Sequence, residues 1–171
     1  MAFDKSKPKI QQIEDNARRL GVLDKINAQV QDATKANLEK ESFDKILLDA
    51  PCSALGQRPM LIQESKVKEL KSFAKLQRKL FEKAMEFLKP NGIIVYSTCS
   101  ITLEENEEIV KWVLEKFSEN IEICSTFPKI GHPGFGLEIN SDKVQRFGPE
   151  GAESDSTIGF FIAKFKKTIK N

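Results

Sequence analysis

The chain has 171 residues, room for one ordinary domain with one core. Forty per cent hydrophobic residues with twelve Phe suffice to fold, 30% charged residues keep the outside wet, and a formal net charge of +2 excludes a strongly polycationic protein. Three Cys without a C-x-x-C pair and a single His make a zinc site or a disulfide scaffold improbable, and no apolar run is long enough to span a bilayer.

In chain order, Ile10, Ile13, Ala17 and Leu20 recur at helical spacing between Ser6 and Gly21, with Pro8 in the first turn and Gly21 as the stop. INAQVQDA, 26–33, reads as a short strand. FDKILLDA, 43–50, reads as a buried strand ended by Pro51, and PCSALGQRPM as a turn-rich loop. The spacing predicts a long helix over 64–88 with Leu76, Leu80, Ala84 and Leu88 on its inner face, stopped by KPNG. Its Lys66, Lys68, Lys71, Lys75, Arg78, Lys79 and Lys83 give a local basic patch; Lys71, Lys75, Arg78 and Lys79 share one face, which by itself is better read as a solvated face than as a nucleic-acid site.

GIIVYSTC, 92–99, is the next strand, TLEENEEIVKWVLEKF, 102–117, a helix with an acid-rich first turn, and IEIC, 121–124, a strand. A long irregular connection holding GHPGFG leads to a last strand, TIGFFIAKF, 157–165. Strands alternating with helices predict an α/β fold with a mostly parallel sheet in one domain, 1–171. The crossover between strands 43–49 and 92–97 then places them side by side. Cys52 and Cys99 follow their carboxyl ends and face one crevice, with Asp49 beside them.

Three chemistries suit such thiols. A Cys-His hydrolase lacks a base, since nothing directs His132 toward either sulfur. A dithiol redox centre needs the sulfurs within bonding reach and lacks the usual C-x-x-C. Conjugate addition to C6 of a pyrimidine needs no histidine: it makes C5 a carbon nucleophile that takes a methyl group, and an acid such as Asp49 serves the N3 and amino edge of the base. Cys124 reads as a small hydrophobe.

Asp49-Ala50-Pro51-Cys52-Ser53 and Ser97-Thr98-Cys99-Ser100-Ile101, with Glu104-Glu105-Asn106-Glu107 after the second, resemble the paired cysteine motifs of the Sun-domain (Fmu-type) RNA cytosine-5 methyltransferases. The resemblance runs through LKPNGIIVYSTCSITLEENEE to RFGPEGAESDSTIGFFIAKF, and Gly56-Gln57-Arg58-Pro59 is especially similar to a member acting on the acceptor stem of transfer RNA.

The resemblance implies a Rossmann-like fold dependent on S-adenosylmethionine and methyl transfer to C5 of a cytosine in RNA; the composition, with no spanning run and no signal-like start, separately leads us to expect an intracellular, cytoplasmic protein with neither metal nor membrane. Cys99 would be the nucleophile, Cys52 would assist proton removal or product release, and Asp49 would hold the base and belong to the cofactor site. Asp4 and Asp32 would bind the ribose and adenine of the cofactor. The family's first strand and glycine-rich cofactor loop precede the segment that matches AFDKS, so the domain is expected to be N-terminally truncated. An open sheet edge bearing exposed apolar side chains is expected in consequence. The alternative is a non-catalytic remnant that binds RNA through Lys71, Lys75 and Arg78, or a protein partner through that edge.

Overall fold

The computed structural model describes residues 1–57, 67–148 and 157–169. The start of the predicted helix at Glu64, Lys66, and the Arg58-Pro59 part of the motif lie outside the described residues.

The fold divides into two compact units, Met1–Leu38 and Glu39–Asn171. In the first, β1 (Ala2–Asp4) pairs in parallel with β2 (Ala28–Val30), and α1 (Lys7–Arg19) joins them. Pro8 sits in the first turn of α1, Ile10 and Ala17 are its buried residues, and Gly21 leaves the helix with φ +70°, a conformation that suits glycine.

The second unit is built on β3 (Phe43–Asp49), α2 (Val67–Phe87), β4 (Leu88–Thr98), α3 (Glu107–Lys116), β5 (Ile121–Cys124), β6 (Gln145–Phe147) and β7 (Phe160–Lys167). Its sheet runs β3-β4-β7-β5, with β6 also on β7. β3 and β4 are parallel, as the crossover rule requires, whereas β7 is antiparallel to β4, β5 and β6. The sheet is therefore mixed rather than mostly parallel. β7 inserts between β4 and β5, out of chain order, and returns in the opposite sense.

Alternation sets the core. Ile94 and Tyr96 of β4 and Phe161, Ala163 and Phe165 of β7 point to one face, where they meet Ala74, Phe81 and Ala84 of α2 and Ile109, Val110 and Val113 of α3. The rings of Phe81 and Phe165 meet edge to face at 5.3 Å.

Three elements depart from the expectation. β3 is not buried: it pairs with β4 alone, and Leu47 is 73% exposed. An apolar run here marks an edge strand with one covered face, as expected for an open sheet edge. KPNG does not end the helix before a separate strand. α2 stops at Phe87, and between the pairs Phe43/Leu88 and Lys45/Ile93 the residues Lys89–Gly92 form a bulge within β4. Asn91 takes φ +63° there, and Pro90 is tolerated because a bulge frees its nitrogen from the ladder. Finally, α3 starts at Glu107 instead of Thr102, and Glu105 and Asn106 before it turn inward.

Candidate active site

Asp49 ends β3 opposite Ser97 of β4, and the register carries both chains on to the cysteines. Ser97 Oγ donates to Asp49 Oδ1 at 3.1 Å, and Ala50 N donates to Ser97 O at 3.0 Å. Beyond these bonds Cys52 Sγ and Cys99 Sγ lie 3.2 Å apart. The structure thus brings together the three residues read from the sequence of this unit. Burial, and then the hydrogen-bonding contact with Cys99, push the Cys52 thiol up to about 12, so Cys52 keeps its proton near neutrality.

The loop carrying Cys52 is held against the backbone after β4. Gly56 N donates to Cys99 O at 3.0 Å, and Gly159 N donates to Gly56 O at 2.6 Å. A Cβ on Gly56 would lie 2.6 Å from Gly159 Cα, so the close approach requires glycine at this position.

Several residues here were not singled out from the sequence. Glu105 is 0% exposed, and its carboxylate accepts from Ser53 N (2.9 Å), Ser53 Oγ (2.5 Å), Ser100 Oγ (2.6 Å), Thr102 Oγ1 (3.1 Å) and Gln77 Nε2 (3.2 Å). Tyr96 OH donates to Glu105 O at 2.5 Å, and burial, then the Glu105 charge, raise that phenol well above its ordinary range. Asn106 accepts from Thr98 Oγ1 at 2.6 Å and donates to Ser100 O at 2.9 Å. Glu107 forms a buried ion pair with Arg146, whose Nη2 donates to Ile101 O at 2.7 Å. The available signal was the hydroxyl-rich STCSIT beside EENE: four hydroxyls near buried acids make a ready donor set.

GHPGFG supports β6 instead of a cofactor. His132 and Arg146 exchange backbone hydrogen bonds, both 2.8 Å. Of the basic face on α2, Lys71, Lys75 and Lys79 are exposed, but Arg78 is half-buried and packs over the Trp112 ring at 5.8 Å. Arg78 therefore does not belong to the solvent stripe. Among the described residues no cluster of His, Cys, Asp and Glu could hold a metal ion, and no helix is long and apolar enough to cross a membrane.

In the first unit Asp4 and Asp32 come together at the ends of β1 and β2. Asp4 Oδ1 accepts from Ser6 N at 2.7 Å, and Gln31 N donates to Asp4 O at 2.9 Å. Asp32 accepts from Thr34 Oγ1 at 2.7 Å and pairs with Lys5 at 3.1 Å; the Thr34 hydroxyl first, then Lys5, hold its carboxyl down at about 2.

With two paired thiols behind parallel strands, the family model described as 16S rRNA methyltransferase RsmB/F matches residues 1–166. The chain belongs to the RsmB/F methyltransferase family. Within it, the tRNA (cytosine(72)-C(5))-methyltransferase NSUN6 of Homo sapiens is 43% identical over 206 residues, covering 98% of this chain and 43% of the relative. The crystal structure of NSun6 from Pyrococcus horikoshii with SFG superposes with TM-score 0.84 at 40% identity, covering 98% of this chain and 41% of that one. A SAM-dependent O-methyltransferase from Thermotoga maritima, 15% identical with TM-score 0.55 over 99% of this chain and 50% of its own, shares the fold alone. The chain thus has the Rossmann-like α/β fold of the S-adenosylmethionine-dependent methyltransferases, and it spans less than half the length of these RsmB/F relatives.

Proposed function

We propose that the chain carries the reacting groups of an RNA cytosine-5 methyltransferase, with transfer RNA as its substrate, and that residues 1–171 are parts of one incomplete catalytic domain. The observation that carries this reading is the pair of sulfurs 3.2 Å apart beyond adjacent parallel strands, with Asp49 tied to the same strand ends through Ser97.

The residues fit the adenosine half of S-adenosylmethionine. Asp4 and Asp32 present partly exposed carboxylates, 30% and 24%, at neighbouring strand ends. A backbone N–H and a lysine at 3.8 Å leave Asp4 acceptor capacity for ribose hydroxyls. When bound, S-adenosylmethionine supplies an electrophilic methyl group on a sulfonium. This chain's own work is on the base.

Cys99 loses its proton to solvent and its sulfur bonds C6, while Asp49 holds the N3 and amino edge of the cytosine. The addition makes C5 nucleophilic. After C5 is methylated, its proton leaves to solvent, the double bond re-forms and the bond from sulfur to C6 breaks. The Cys99 thiolate departs beside a Cys52 thiol that still holds its proton, and that S–H stabilises it. This favours product release over proton abstraction as the task of Cys52. Lys71, Lys75 and Lys79 supply a stripe of charge for RNA phosphates.

The test is calorimetric titration with S-adenosylmethionine together with methyl transfer to transfer RNA, using Asp4→Ala as the control. Binding lost in the control with 5-methylcytosine formed by the parent supports the reading. A folded chain that neither binds nor methylates, yet retains RNA, is the non-catalytic remnant.

A further inference from the structure

We infer that Glu105 is the positioning residue of the cysteine pair, a buried carboxylate that clamps both cysteine-bearing backbones into one register. The inference rests on reading Cys99 and Cys52 as the reacting pair.

Glu105 is fully buried, and among the described residues no cation pairs with it. Every neighbour named above donates to it. Two of its partners, Ser53 and Ser100, directly follow Cys52 and Cys99, and their hydroxyls converge on one oxygen, Oε2. Those hydroxyls lie 3.2 Å apart, the same separation as the two sulfurs one residue earlier. The two Cys-Ser dipeptides therefore run side by side, joined at the serines by one carboxylate.

A third element enters through Gln77 of α2, whose Nε2 donates to Glu105 and to Pro51 O at 2.9 Å. Thr102 donates to the same Oε2, Ser53 N and Gln77 Nε2 hold Oε1, and Tyr96 fixes the Glu105 backbone. The grip on Ser53 spans 52 residues of chain, so no local turn can replace it. A carboxylate is the group that fits, because a side-chain amide would aim an N–H at one of the donors. Hydroxyl donors to an ionised acceptor are also the strong, short kind. The consequence for chemistry is effective concentration: groups held within reach react far faster than groups that must find each other.

The direct test reads the thiols without requiring methyl transfer. In a Cys124→Ala background the chain is mixed with a dipyridyl disulfide. The first thiol displaces one thiopyridine and forms a mixed disulfide, and the second attacks that sulfur, expels the other thiopyridine and leaves a Cys52–Cys99 bond. In each step the proton of the attacking thiol leaves on the departing thiopyridine, and the sulfurs close from 3.2 Å to about 2 Å. With Glu105 intact the second release follows so fast that no mixed disulfide accumulates.

Glu105→Gln is expected to slow that release at least about tenfold, since a displacement near 1 Å costs up to about a hundredfold in such reactions. Ser53→Ala/Ser100→Ala, which leaves Glu105 in place and removes only two hydroxyls, is expected to do the same. In methyl transfer both variants lower kcat with KM little changed. A folded Glu105→Gln or double serine variant whose second release stays within twofold of the parent overturns the inference. Absence of methyl transfer by the parent overturns the proposed function instead, and the thiol measurement still decides the role of Glu105.

Discussion

Replacing Arg146 with Met should destabilise the second unit more than any surface change. Arg146 and Glu107 have side chains 5% and 2% exposed, and Nη1 donates to both carboxylate oxygens at 2.8 Å. The same guanidinium holds Ile101 O and lies 4.6 Å over the Phe135 ring. Removing one partner of a buried pair strands the other charge, at a cost of about 3–5 kcal/mol. With a urea slope of about 2 kcal/mol per molar, the midpoint falls by about 2 M. Urea unfolding followed by fluorescence of Trp112, the single tryptophan, reads this directly. Arg146→Met/Glu107→Gln should recover about half the loss or more, because the buried Glu107 charge is no longer stranded. A midpoint shift under about half a molar for Arg146→Met, or a double variant as unstable as the sum of the single ones, would refute the reasoning.

Other outcomes follow from the same structure. Cys52 titrates at about 12 instead of 9.0, so its contribution to stability is full below pH 9 and is lost as pH rises toward 12. Chemical denaturation across that range should show the decline, and Cys52→Ser should flatten it. Asp32 is held at about 2 against an ordinary 3.8, so its contribution is present above pH 4 and lost as pH falls toward 2. In Thr34→Val a carboxyl-resolved NMR titration should find Asp32 moved up toward 3.8, since the Thr34 hydroxyl is the largest influence on it. Gly56→Ala places a methyl 2.6 Å from Gly159 Cα, and thermal denaturation should register a loss of about 1–3 kcal/mol.

Periodicity made much of this fold readable. The spacing of Ile10 and Ala17 located α1, and the crossover rule placed β3 beside β4, which set the two sulfurs together. Direction and neighbourhood were less legible. Alternating apolar residues in β7 show a covered face, yet they look the same for a strand running either way, so its antiparallel sense stayed hidden. The apolar run of β3 suggested burial on both faces, but a strand with one neighbour can leave Leu47 in solvent. TLEENEE read as a helical first turn because acids there favour the macrodipole. Glu105 instead turns inward, and what makes that possible is a set of donors from distant segments, Ser53 and Gln77, that only folding assembles.

The most direct measurement of the central claim is a denaturing gel with mass spectrometry of Cys52→Ala, Cys99→Ala and the parent after incubation with transfer RNA and S-adenosylmethionine. The account predicts a protein-RNA adduct through Cys99 at C6 of a cytosine that accumulates in Cys52→Ala, is transient in the parent and is absent in Cys99→Ala. Equal, mild effects of the two substitutions, with no adduct in either, would contradict it.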